Sequence, residues 1–116
     1  MNSIRKQKLE SLLKRELSII IMREVKDPRV SFVSVHEVSL TNDLKTAHVY
    51  ISIMGSREEK QKTFKGLSKA AGFIKSVIGK NIRLKYIPDI KFAMDEKMEQ
   101  KDNVLKILKN LERAEE

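Results

Sequence analysis

KAAGFIKSVIGKNIRLKYIPDIKF, Lys69 to Phe92, is the stretch on which the reading of this chain turns. Its apolar residues continue a pattern that begins just upstream. Phe64, Leu67, Ala71, Ile74 and Ile78 recur at alternating intervals of three and four, which marks one face of an amphipathic helix. Gly72 interrupts that helix directly after Ala70 and Ala71, so a kinked helix is expected from about Arg57 to Gly79 or a few residues beyond. At about 100° per residue, Lys62, Lys65, Lys69, Ser76 and Lys80 fall opposite the apolar set, with Gly72 among them. The outward face is a lysine stripe with a bare notch where Gly72 has no side chain. If the kink demands φ > 0, only glycine fills that position without strain.

The charge around this helix is lopsided. Lys60 to Pro88 holds eight Lys or Arg and no Asp or Glu. A face built only for solubility usually mixes signs and gains from Glu–Lys pairs at i, i+4. A segment without carboxylates points instead to a polyanion, and nucleic acid is the commonest large one in a cell. The first helix supplies the rest of the positive field, because residues 1–29 carry eight basic and four acidic side chains. Residues 30–59 and 93–116 both lean acidic.

Working outward, Asn2 or Ser3 caps a first helix expected to run to about Val25. Leu9, Leu12, Leu13, Leu17, Ile20 and Ile21 form its core stripe, and Lys8, Ser11, Lys14, Arg15 and Ser18 lie on the other side. Pro28 stops it. Val30 to Leu40 reads as a strand. Its alternation changes phase between Val35 and Val38, which predicts a bulge near His36 and Glu37. Thr41, Asn42 and Asp43 are turn formers. Ala47, Val49, Ile51 and Ile53 then alternate strictly with polar neighbours, giving the second strand of an antiparallel hairpin that Gly55 and Ser56 end. After the kinked helix, Ile82, Leu84 and Tyr86 either form a strand or close the helix. Ile90, Phe92 and Met94 make a third strand. Met98 to Asp102 reads as loop, and Val104, Leu105, Leu108 and Leu111 suggest a short terminal helix.

The order αββααβ in 116 residues gives one α+β domain. Its three-stranded sheet has helices packed on one face. Residues 1–96 form the domain and 97–116 a C-terminal tail. With no Cys, neither a disulfide framework nor a thiolate zinc site exists. There is no Trp, and aromatics are few, so stacking on an aromatic platform is not the obvious binding mode. The longest apolar run, Leu17 to Met22, is too short to span a bilayer. No signal-peptide pattern opens the chain.

That element order resembles the type II KH domains, which are small RNA-binding modules. Such domains clamp nucleotide backbone with a G-x-x-G loop between the paired helices. Here Gly stands at 55, 66, 72 and 79, and none is followed by Gly three residues later. Ala70-Ala71-Gly72 takes the loop's place. That substitution closely resembles the ribosome-binding factor A family of bacterial small-subunit assembly factors, with its Ala-x-Gly kink. Lys26-Asp27-Pro28-Arg29-Val30, Leu40-Thr41-Asn42-Asp43-Leu44, Gly72-Phe73-Ile74-Lys75 and Ile82-Arg83-Leu84-Lys85 through Pro88-Asp89-Ile90 are similar to that family's segments in order and spacing. The resemblance implies a cytoplasmic, non-enzymatic protein without cofactor, metal or membrane anchor. It implies a monomer that binds the immature small ribosomal subunit and its ribosomal RNA. It further implies help with late maturation and 5′-end processing, importance in the cold, and release with the aid of an assembly GTPase.

The candidate RNA-binding residues are Lys62, Lys65, Lys69, Gly72, Lys75, Lys80, Arg83 and Lys85, with Arg5, Lys8, Lys14 and Arg15 on the first helix as a weaker second surface diluted by Glu10 and Glu16. Lys and Arg gain affinity by releasing counterions from phosphate without reading sequence. Gly72 admits two readings, a packing kink or a notch through which backbone approaches phosphate, and both follow from the missing side chain.

Other chemistry finds little support. His36 and His48 lie on strands without a nucleophile pattern beside them. Asp43, Asp89 and Asp95 are scattered, whereas a metal-dependent nuclease needs clustered carboxylates. Met94 and Met98 read as gap fillers. No P-loop or Gly-rich nucleotide fingerprint is present. Two function classes follow: an RNA-binding assembly factor, or a KH-like protein-interaction adapter on the ribosome with weak RNA contact.

Overall fold

Strict alternation in the middle of the chain decides which side of the sheet is buried, and the helices follow from that. The computed structural model describes residues 3–23, 25 and 33–95. Its elements are α1 (Ser3–Arg23), β1 (Val33–Leu40), β2 (Thr46–Ile53), α2 (Arg57–Lys69), α3 (Ala71–Asn81) and β3 (Asp89–Met94). β2 is the central strand, antiparallel to β1 and parallel to β3. Ala47, Val49, Ile51 and Ile53 on β2 are buried, while the residues between them are half-exposed.

The phase change in β1 is a bulge. Val35 pairs with Ile51 and Glu37 with Tyr50, so His36 is the extra residue. One inserted residue returns Val33 and Val35 to the face that carries Val38 and Leu40. The opposite sheet face is polar, with Ser39, His48 and Lys91 in one cross-strand row. There His36 Nε2 and Ser52 Oγ share a hydrogen bond of 2.6 Å.

The core gathers Leu13, Leu17, Ile20 and Ile21 of α1, Leu67 of α2, Ile74 and Ile78 of α3, and Ile90 of β3 against the inner residues of β1 and β2. Each fully buried Leu or Ile contributes about 1.5–3 kcal/mol of transfer free energy, so this cluster is the main source of stability. α1 lies over β1, α3 over β3, and the two helices touch. Leu12 departs from the expected stripe. It is exposed, because it sits about 100° round the helix from Leu13 and faces solvent.

Side chains fix the ends of these elements. Glu10 Oε2 accepts the Leu40 N–H at 2.8 Å, which ties α1 to the end of β1. Lys6 Nζ donates to Asn42 Oδ1 at 3.4 Å. In the hairpin turn, Thr41 Oγ1 donates to Asp43 Oδ1 at 2.6 Å, and the Lys45 N–H donates to the same oxygen at 3.1 Å. These two bonds hold the Asp43 carboxyl below the ordinary carboxylate range, the hydroxyl more than the amide. They frame Leu44, whose φ of 61° lies in the left-handed region. Gly55, at φ 134°, turns the chain out of β2 into a capping box. In that box the Glu59 N–H donates to Ser56 Oγ at 3.2 Å and the Ser56 N–H to Glu59 Oε2 at 3.4 Å.

Three further expectations change. α1 is helical to Arg23, and Val25 is outside it. The segment with Ile82, Leu84 and Tyr86 is neither helix nor strand: Ile82 ends α3 in extended conformation and β3 begins at Asp89. Within the expected kink Ala70-Ala71-Gly72 the break falls at Ala70, and Gly72 itself does not interrupt the helix. The Asn2 cap, the stop at Pro28, strand residues 30–32, the motif Lys26–Val30, Met98 and the terminal helix lie outside the described residues.

Candidate nucleic-acid interface

α2 and α3 are built to show one side of themselves to solvent. Thr63, Leu67, Ile74 and Ile78 are buried, with Phe64 and Ala71 half-buried. Lys62, Lys65, Lys69, Gly72, Ser76 and Lys80 are all exposed. The periodicity survives the break because Ala70 stays close to helical, at φ −82° and ψ −3°. Its N–H donates to Gly66 O at 3.1 Å and Leu67 O at 3.0 Å, and its carbonyl accepts the Ile74 N–H at 2.9 Å. The two helices therefore adjoin through a single residue, with no side-chain cap at the start of α3.

Gly72 is the second residue of α3, and its φ is not positive. A Cβ placed on it meets nothing within 4 Å. Neither backbone conformation nor internal packing requires glycine there. The bend is made by Ala70, and the notch opens outward.

The basic residues divide into two groups. Lys75 is spoken for: its Nζ lies 2.7 Å from Asp89 Oδ1. That hydrogen bond and charge hold the Asp89 carboxyl below its ordinary range. Lys62 Nζ lies 3.6 Å from Glu58 Oε1, one helical turn away, in an exposed pair. Exposed pairs at this spacing are worth only about 0.3–0.5 kcal/mol and yield readily to phosphate. The carboxylate-free stretch is thus partly neutralised from its two margins. Lys65, Lys69, Lys80 and Arg83 show no ion pair among the described residues. Lys85 Nζ sits 5.7 Å from the Tyr86 ring centroid.

On α1, Arg5, Lys8, Lys14 and Arg15 are exposed, and Glu10 is engaged with Leu40. Around them stand apolar residues that periodicity left out or, for Leu12, assigned to the core stripe. Ile4, Leu12, Ile19 and Met22 are exposed, two of them by more than two thirds (Ile4 68%, Met22 69%). With Lys8 and Arg15 they form a stripe at spacings of four and three opposite the core stripe. The signal was available, but a second apolar stripe is masked by the stronger first one.

Elsewhere the chemistry is sparse. Among the described residues no group of three or more His, Asp or Glu is placed to hold a metal ion. Among the same residues no helix is long and apolar enough to cross a membrane.

Comparison with known proteins gives a consistent result. The family model of Ribosome-binding factor A matches residues 5–108. Ribosome-binding factor A of Natranaerobius thermophilus is 46% identical over 116 residues, covering 100% of this chain and 88% of the relative. The crystal structure of ribosome-binding factor A from Thermus thermophilus is similar with a TM-score of 0.68 at 27% identity, covering 77% of this chain and 94% of the other. A homology model of Thermus thermophilus ribosome binding factor A, fitted into the cryo-EM map of its 30S complex, aligns with a TM-score of 0.64 at 27% identity, over 74% of this chain and 90% of that one.

Proposed function

This chain belongs to the ribosome-binding factor A family, and from that premise we propose that it binds the immature small ribosomal subunit through ribosomal RNA, as a non-enzymatic assembly factor. The observation that carries the RNA contact is the outward face of α2 and α3. Lys65, Lys69 and Lys80 stand there without ion pairs among the described residues, around a glycine that the fold itself does not need. Unpaired ammonium groups exchange condensed counterions for protein contact, which favours phosphate backbone irrespective of sequence. A bare helical backbone between them lets a phosphate oxygen approach more closely than any side chain allows. Lys62, Lys75, Arg83 and Lys85 contribute at the margins, and Arg5, Lys8, Lys14 and Arg15 form the second surface. The Thermus relative seated in a 30S complex supports the choice of partner.

The finer reading rests on the family. The protein acts in the cytoplasm as a monomer, assists late maturation and 5′-end processing of small-subunit RNA, matters most in the cold, and leaves with the help of an assembly GTPase. No step requires a catalytic residue or cofactor. The test is co-sedimentation from a growing culture. The protein is expected with free, immature small subunits and scarce on translating ribosomes. Equal occupancy of both fractions overturns an assembly role.

The adapter reading draws on the exposed apolar residues of α1, which suit protein better than RNA. Binding to one ribosomal protein that ignores salt concentration favours it over the first reading.

A further inference from the structure

Among the described residues, the aromatic side chains that are exposed are Phe73 and Tyr86, and both lie within the stretch from Lys60 to Pro88 that carries no carboxylate. Phe64, Phe92 and Tyr50 are half-buried. Tyr86 is the extreme case at 70% exposure. It stands in the connection between α3 and β3, where exposed Arg83, Lys85 and Tyr86 are interleaved with inward-leaning Ile82, Leu84 and Ile87.

The connection is anchored at both ends. Ile82 and Ile87 pack against the core, and Pro88 is fully buried. Ile87 Cγ1 lies 3.4 Å from where a Cβ on Gly79 would stand, so the bare Gly79 lets the connection sit close on α3. The Asp89 N–H donates to Lys45 O at 2.8 Å and fixes the exit into β3. Three exposed side chains are thus presented on an ordered base. The Lys85 ammonium sits 5.7 Å from the Tyr86 centroid, near enough for a cation–π contact.

We propose that Tyr86, flanked by Arg83 and Lys85, is a stacking site for one unpaired nucleobase of single-stranded RNA. The inference rests on the RNA-binding reading above and adds a different contact to it. Lysines on α2 and α3 neutralise phosphate and are indifferent to whether a base is present. An exposed ring beside two cations takes a base on its face while Arg83 and Lys85 hold the adjoining phosphates. A base locked in a duplex offers no free face, so this site favours single strands.

The experiment compares three probes with the full chain: a 12-nucleotide single-stranded RNA, the same strand made abasic, and its duplex. Tyr86→Ala is expected to weaken the single strand about 5- to 150-fold, the range that loss of one base–aromatic stack covers. It is expected to leave the abasic strand and the duplex unchanged, with the slope of log K against log salt untouched. Tyr86→Phe keeps single-strand affinity because the ring suffices. The chain has two Tyr and no Trp, so in a Tyr50→Phe background Tyr86 alone reports by its emission, which a stacked base quenches. Quenching by the intact strand and not by the abasic one supports the site. Equal losses on all three probes, or none on the single strand, overturn it while leaving RNA binding standing. Failure of the parent chain to bind any probe or isolated ribosomal RNA overturns the RNA reading itself.

Discussion

Two helical faces of this molecule show cations to solvent, and they differ in what stands between the cations. On α1, Lys8 and Arg15 alternate with Ile4, Leu12, Ile19 and Met22. On α2 and α3, Lys65, Lys69 and Lys80 alternate with the small residues Ser68, Gly72 and Ser76. Equal charge therefore does not mean equal use. Apolar side chains beside a cation gain from desolvation against a packed surface, which a protein offers and a phosphate backbone does not. Small side chains leave a cation free to move and let a polyanion lie close. On this chemistry the α2–α3 face suits the proposed RNA contact, and the α1 face suits a surface part apolar and part anionic.

The largest effect is expected where charge alone carries the interaction. Changing Lys65, Lys69 and Lys80 together to Gln should lower the slope of log K against log salt by up to about 0.9 per lost contact in duplex, or about 0.7 in single strand. Stability should hold, because outward lysines carry little of it. The matched change of Arg5, Lys8 and Arg15 to Gln should move that slope less on naked ribosomal RNA. Equal shifts for the two triple variants would erase the distinction between the faces.

Gly72 offers a way to make one face resemble the other. Replacement by Ala should raise stability by up to about 0.5–1 kcal/mol, because glycine costs about that much within a helix and the new methyl has open space. Gly72→Ala should nonetheless weaken subunit binding, and Gly72→Leu should weaken it further by filling the notch. Thermal melts and binding curves on the two variants separate the effects. Parental binding by Gly72→Leu would show that nothing approaches the backbone there.

These contrasts were unevenly legible in the sequence. The bulge at His36 was written as a phase change between Val35 and Val38, since side-chain direction alternates strictly and only an inserted residue restores it. The solvent face of α2 and α3 was written as periodicity and survived the break, because Ala70 remains nearly helical. The break lies inside the expected kink of Ala70 to Gly72, but at its first residue and not at the glycine. Glycine is the usual suspect at a kink, whereas here Gly72 sits on ordinary backbone and Leu44 occupies a left-handed position that glycine would fill without strain. Ser56 and Glu59 have the spacing of a capping box, so that helix start is written in the sequence. The loss of Lys75 to Asp89 needed the fold, for the two are brought together only when the connection after α3 returns to start β3.

For the α1 face, the joint change of Leu12, Ile19 and Met22 to Gln isolates the apolar component. Met22 is mostly exposed, while Leu12 and Ile19 are about four tenths exposed, so the change at Met22 should alter stability by no more than about 0.5 kcal/mol and each of the other two by about 1 kcal/mol. Affinity for isolated RNA should not move, while affinity for whole immature subunits, which also present protein, should fall. Unchanged binding to whole subunits would leave the stripe without a partner and remove the ground for treating α1 as a protein-facing surface.

The smallest effect concerns the cation that the fold itself consumes. Lys75 donates to Asp89 and holds that carboxyl below its ordinary range. A carboxylate whose folded value is depressed stabilises the native state above its unfolded value, and that contribution disappears as pH falls through the folded one. Asp89→Asn should therefore melt slightly below the parent at neutral pH, and the two curves should converge as pH drops beneath the carboxylate range. Asp89 is mostly exposed and Lys75 is half-buried, so water screens the pair and the difference at neutral pH is small. The same substitution frees Lys75 at the edge of the α3 face. If that ammonium then reaches phosphate, the salt slope should rise by at most about 0.9, opposite in sign to the triple lysine variant. A variant that melts lower at neutral pH with no gain in slope would mean that Lys75 points away from the RNA whether paired or not, and that the phosphate-facing cations of α3 end with Lys80.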